Sequence, residues 1–202
     1  MNHDKNFRKI DQWYWVSVFG NRYNEAVNTT TPADFEKMQL WFEDDGRIPD
    51  FISRFNVSAI DFRTQSKSSS TYRGVLNLVV LSGAQDFQSG KDPFANKFIL
   101  EDDHIFPKSI YKDNEICNRT LIATNAEKSN KQPSEYFNAL EVLSGRERIE
   151  AILATHLIDS NAYSALLAND LEKFKRAREA AVRAKITELV PSAKGLGQQG
   201  DE

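Results

Sequence analysis

Apolar positions recur with helical spacing through most of this chain. Trp13, Tyr14, Trp15, Val18 and Phe19 crowd roughly two turns, and Gly20 after them is a stop signal. The stretch Thr29 to Asp34 predicts a second helix start, with Thr31 at the N-cap, Pro32 at the first helical position and Asp34 near the positive end of the dipole. Phe35, Met38 and Phe42 follow on one face, widened by Leu40 and Trp41. Residues 64–70 are polar and read as a loop. Tyr72, Val75, Leu76, Val79 and Val80 then mark an amphipathic helix that ends near Gly83.

The rhythm changes after a Gly-, Pro-, Asp- and Asn-rich loop at 86–96. Two short apolar runs, Phe98-Ile99-Leu100 and Thr120-Leu121-Ile122, predict two antiparallel strands. A helix from about Thr124, stopped by Pro133, follows them. Helical patterns return over roughly 145–157, 161–168 and 170–189, and the polar tail after Pro191 reads as disordered. The expected fold class is therefore α+β, a ββα finger embedded in a mostly α-helical domain. Its expected parts are a helical region at 1–95, the finger at 96–140, C-terminal helices at 141–190 and the tail at 191–202.

Composition narrows the chemistry. Hydrophobic residues make up 40% and charged residues 27% of the 202, ordinary values for a globular protein. No apolar run approaches the roughly 20 residues that span a bilayer. Residues 1–5 lead into aromatic and charged residues, not a signal-peptide core, so the expectation is a cytoplasmic protein without membrane contact. The single cysteine, Cys117, excludes paired CxxC zinc knuckles, so any metal would be held by oxygen and imidazole groups, which favours Mg²⁺ or Mn²⁺. A net charge of −3 argues mildly against a protein that coats DNA; an enzyme that touches few phosphates needs only a local basic surface.

The segment from Asp103 onward carries the chemistry. Asp103 is a hard oxygen ligand, Asn125 can add an amide oxygen, and His104 titrates near neutrality and can take a proton from water. Neighbours on a strand point to opposite faces, so Asp103 and His104 can serve one substrate only where the strand ends, and Pro107 is consistent with such an end. Asn130 competes with Asn125 as second ligand.

Asp103-His104-Ile105-Phe106-Pro107, Asn118 and Asn125-x-x-Lys128 together resemble the ββα-metal (His-Me finger) motif of HNH endonucleases, and with Lys108-Ser109, Lys112-Asp113 and Pro133-Ser134 the HNH domain of type II CRISPR effector nucleases. The resemblance implies His104 as general base and Asp103 and Asn125 as ligands of one Mg²⁺ or Mn²⁺. It implies Asn118 as the brace of the loop that orients the histidine, and Lys128 as a phosphate contact or helix brace.

The flanks, residues 13–23 and Gly83 to Phe87 with Gly90, resemble the C-terminal nuclease region of GmrSD-type modification-dependent restriction proteins. That implies DNA as substrate, a role against foreign or modified DNA, and a ParB-like nucleotide-binding domain on the same chain or a separate subunit. Double-strand cleavage would need two copies, hence a possible homodimer. Lys108, Lys131, Arg176 and Arg183 are candidate DNA contacts, with Arg146 and Arg148 competing; a charged helix face is otherwise simply solvated. His156 reads as a packed or partly exposed helix residue, and Trp13, Tyr14 and Trp15 as packing rather than base-stacking groups. The rival classes are a catalytically silent binding or interaction module of the same fold, and an RNase or toxin nuclease.

Overall fold

A two-stranded antiparallel hairpin set among helices makes the fold α+β. The computed structural model describes residues 3–92, 101–123, 128 and 130–191. The run Phe98 to Leu100, the helix start at Thr124, Asn125 and the tail from residue 192 lie outside those residues. In chain order the elements are α1 (His3–Phe19), α2 (Val27–Glu43), α3 (Asp50–Ser53), α4 (Ser70–Leu81), β1 (Glu101–His104), α5 (Lys108–Tyr111), β2 (Arg119–Ile122), α6 (Pro133–Ser144), α7 (Arg146–Ala154), α8 (Ser160–Leu167) and α9 (Leu171–Leu189). Two 3₁₀ turns, Val57–Ala59 and Ile116–Asn118, punctuate the loops. No helix among the described residues is long and apolar enough to cross a membrane.

The chain divides into two units. One takes residues up to Asp61 together with those from Arg183 onward, the other Phe62–Val182. In the first, α1 packs on α3 and buries Trp15, Val16 and Phe19, with the Trp15 and Phe19 rings stacked at 5.8 Å. Helix α2 starts five residues earlier than its sequence suggests. Ala26, in the left-handed region at φ 50°, opens it, so Thr31 is no cap and Pro32 sits in the second turn. Asp34 serves an ion pair there instead of the dipole. It is fully buried, takes Arg22 Nε and Nη2 at 2.6 Å each, and accepts from the Tyr23 hydroxyl at 2.9 Å. The buried stripe is Asp34, Met38 and Trp41, which leaves Phe35 and Leu40 exposed.

The second unit holds the hairpin. Its core joins Ile105, Phe106 and Ile122 of the hairpin to Phe137 and Leu140 of α6, Ile149, Ile152 and Leu153 of α7, Tyr163 and Leu166 of α8, and Phe174 of α9. Helix α4 packs on β2. Pro133, read above as a stop, opens α6 at its first position, where a missing N–H costs no intrahelical bond. The three C-terminal helices follow their apolar periodicity; α7 and α9 each start one residue later than expected and α8 one residue earlier, and α7 ends three residues sooner.

Arg178 of α9 is wholly buried beneath the hairpin. Its Nη1 donates to Cys117 O at 2.9 Å and Arg119 O at 2.5 Å, while Nε and Nη2 reach His156 O at 3.3 and 3.2 Å. Burial pushes its pKa down to about 10, still charged at neutral pH. His156 lies in the turn after α7, a correction to its reading as a helix residue, and is fully buried, the packed one of the two settings expected of it. Its Nε2 lies 2.6 Å from Gln85 O, which can only accept, so Nδ1 is left to accept from the Thr120 hydroxyl at 2.7 Å. This neutral imidazole has its pKa pushed down to about 4, chiefly by burial and further by Arg178; Gln85 O and Asp86 act the other way.

Arg178→Ala strands three carbonyls in the interior and should cost on the order of 3 kcal/mol or more in urea unfolding, with Arg178→Lys recovering less than half, since one ammonium cannot span all three. His156 binds a proton in the unfolded chain below about 6.5 but in the folded chain only below about 4. Stability from this group is therefore full above pH 6.5 and falls as pH drops to 4, by roughly 3 kcal/mol. Unfolding midpoints of His156→Gln measured across that window should show a shallower acid slope than wild type; an unchanged slope would remove His156 as its source.

Candidate active site

The hairpin register pairs Asp103 with Thr120 and His104 with Arg119. Side chains alternate along β1. Asp102 and His104 share one face and both meet Arg119, while Asp103 meets Lys128 on the other. The strand ends at His104, and the chain dives inward through Ile105 and Phe106, both fully buried. Phe106 packs edge-on to Tyr111 at 4.9 Å and against Phe174 at 5.1 Å. The imidazole thus stands where the strand breaks off, the condition for it to work beside Asp103.

Asn118, fully buried, closes the intervening loop. Its Oδ1 accepts from Phe106 N at 2.7 Å, its Nδ2 donates to Phe106 O at 3.1 Å, and its own carbonyl accepts from Ile105 N at 2.9 Å. An amide serves here because it alone among side chains offers a donor and an acceptor side by side to a single backbone residue.

His104 is half-buried and held from two directions. Its Nε2 is 3.0 Å from Asn114 Oδ1. Arg119 Nη1 is 2.7 Å from Nδ1 and 2.5 Å from Nε2. The in-plane directions of the two ring nitrogens diverge, so an atom this close to both lies over the ring face and takes neither lone pair. The guanidinium plane is aimed at Asp102, with Nε and Nη2 each 2.6 Å from Oδ1 and Nη2 also donating to Asp102 O at 2.9 Å. Asp102 also accepts from Tyr72 Oη at 2.9 Å and pairs with Lys67 at 2.8 Å. Lys67, Arg119 and Tyr72 outweigh burial and hold the Asp102 carboxyl below its usual range. Burial lowers the His104 pKa, and the Arg119 charge lowers it further against the opposing pull of Asn114 and Asp103. The site therefore favours an imidazole in its basic form.

Lys128 is buried, its Nζ 2.5 Å from Asp103 Oδ2 and also donating to His104 O. The Asp103 contact is an ion pair without hydrogen-bond alignment, since Oδ2 is buried and has no aligned donor among the described residues. A buried carboxylate oxygen so placed fits a hard cation ligand. Among the described residues no three His, Cys, Asp or Glu side chains converge as a metal cluster, and Asn125 lies outside them. Asn130 is exposed.

The basic candidates are dispersed. Lys108 and Arg176 are exposed, Lys131 is half-buried, and Arg183 donates to Val57 O and to Ile60 O at 2.8 Å inside its own unit. The sequence reading missed Asp102, Arg119, Asn114, Tyr72 and Lys67. The hairpin register could have revealed the first two, because Asp102 lies two residues from His104 on the same face and Arg119 directly opposite it. Nothing local marks Asn114, Tyr72 or Lys67.

An uncharacterized protein of Methanocaldococcus jannaschii is 27% identical to this chain over 227 aligned positions, a match that takes in 94% of the chain and 39% of the relative. The chain thus spans well under half the length of that curated relative. No solved structure matches it. A family model described as HNH endonuclease matches residues 90–134, so the hairpin that seats His104 and Asp103, its Asn118-closed loop and Lys128 all lie within a segment that bears the HNH endonuclease signature.

Proposed function

We propose that this chain is the nuclease part of a divalent-metal-dependent HNH endonuclease that hydrolyses DNA phosphodiester bonds, in a restriction or phage-defence system directed at foreign or modified DNA. The observation that carries the chemistry is the end of β1. There an imidazole and a buried carboxylate oxygen with no aligned donor among the described residues occupy adjacent residues where the strand stops. The family match at 90–134 supports the same reading. The defence role, and a ParB-like domain as companion, rest on the resemblance of the flanks.

His104 removes a proton from water, and the water oxygen attacks phosphorus as the P–O3′ bond breaks, the departing O3′ taking a proton from solvent, which leaves 5′-phosphate and 3′-hydroxyl ends. Asn118 keeps the loop closed so that the imidazole has one position. Asp103 and Asn125 would hold the Mg²⁺ or Mn²⁺, which when bound supplies Lewis-acid stabilisation of charge on the phosphate and the departing oxygen. Lys128 already brings a positive charge to Asp103 Oδ2, and freed from it would reach toward phosphate. One such site cuts one strand.

Plasmid nicking should require Mg²⁺ or Mn²⁺ and stop in EDTA. His104→Ala should lower the rate about 10²–10⁴-fold, and Asp103→Ala should abolish the metal stimulation. Nicking at wild-type rate by His104→Ala, or nicking indifferent to EDTA, would overturn the assignment. Lys108→Ala and Arg176→Ala should weaken DNA binding evenly across sequences, each reducing the salt slope by about 1; a slope equal to wild type would place those residues off the DNA.

A further inference from the structure

We propose that Asn114 is a positioning residue for His104: its amide oxygen takes the Nε2 proton and leaves Nδ1 as the nitrogen that accepts the proton of water. This rests on the reading of His104 as the base and assigns the atom that acts.

An amide oxygen can only accept, so the 3.0 Å contact between Asn114 Oδ1 and Nε2 requires the N–H on that nitrogen. A neutral imidazole carries one N–H, hence Nδ1 bears the lone pair. Arg119 does not claim it, because Nη1 lies over the ring face with its neighbouring nitrogens turned to Asp102. The arginine is instead a plate that prevents the ring from swinging out of the Asn114 bond. No other described residue offers Nδ1 an in-plane contact.

The loop that presents Asn114 is fixed independently of that side chain. Asp113 and Glu115, on either side of it, pair with Lys175 of α9 at 2.9 and 3.2 Å. Glu115 N donates to Asp113 Oδ1 at 3.0 Å, Asn118 N donates to Glu115 O at 2.9 Å, and Asn118 Nδ2 lies 3.5 Å from Asp113 O. The same Asn118 that closes the loop on Phe106 thereby ties down the Asn114 turn. Lys112, at φ 54°, ends α5 and turns the chain into it. Removing the Asn114 amide should therefore leave the loop in place and release only the imidazole.

The test reads the tautomer directly. The ¹⁵N shifts of the His104 ring, in metal-free full chain at a pH where the imidazole is neutral and assigned with His104→Gln, should show Nε2–H in wild type. In Asn114→Ala they should move to a mixture, with kcat for plasmid nicking down about tenfold or more while KM and the unfolding midpoint stay put. Asn114→Asp, which keeps an acceptor in the same place, should keep the Nε2–H signature and recover part of the rate. An Nδ1–H signature in wild type would mean the amide is seated with Nδ2 toward the ring and would overturn the proposal. So would an Asn114→Ala variant with pure Nε2–H and full rate. Failure of the base reading looks different: nicking would survive His104→Ala, whatever the tautomer.

Discussion

Arg178 carries a full charge with no surface open to water, and backbone carbonyls, not a carboxylate, answer it. A buried guanidinium without a counter-ion is costly unless its donors are used, and here every nitrogen finds an oxygen. What it gains is geometry. Cys117 O and Arg119 O bracket Asn118, and His156 O comes from the turn after α7, so one planar group sets the entry to β2 against the C-terminal helices. The fork shape matters because a lysine would offer a point charge to only part of this set.

From that anchor the site assembles outward. Asn118, between the two anchored carbonyls, closes on Phe106; Arg119, the next residue, crosses to Asp102 and lies over His104. Thr120 takes its hydroxyl contact from His156 and pairs in register with Asp103. Three consecutive residues of β2's entry thus each govern a different piece of the site. The alternation of the strand separates two electrostatic tasks. One face holds Asp102, Arg119 and Lys67 in mutual neutralisation beside the imidazole, and the other leaves Asp103 facing a single buried ammonium.

The sequence disclosed what depends on local spacing. The helical periodicity of α4 and α7 to α9 survives in the structure because those helices bury one stripe each, and Asp103, His104 and Asn118 stand out because their order carries the motif. What escaped depends on partners distant in the chain. Pro133 is equally a stop and a start until the neighbouring loop is known. Asp34 looks like a dipole complement until Arg22 and Tyr23 fold over it. Arg178 is one cation in a basic run, and only its position on the inward face of α9 separates it from exposed Arg176 two residues earlier.

The same logic explains why the second layer around His104 is made of unlike residues. A carboxylate against the ring would favour the imidazolium. Here the carboxylate on that face, Asp102, is kept two residues away and engaged by Arg119, and what reaches the ring is a cation on its face and a neutral amide at Nε2. Both fix orientation, and the cation opposes the charged form. An arrangement built only for stability would place the opposite charge against the histidine, as Lys175 has its carboxylates. The contrast between these two clusters, less than a dozen residues apart along the loop from His104 to Glu115, is that Lys175 has its charge answered directly while the charged form of His104 is opposed.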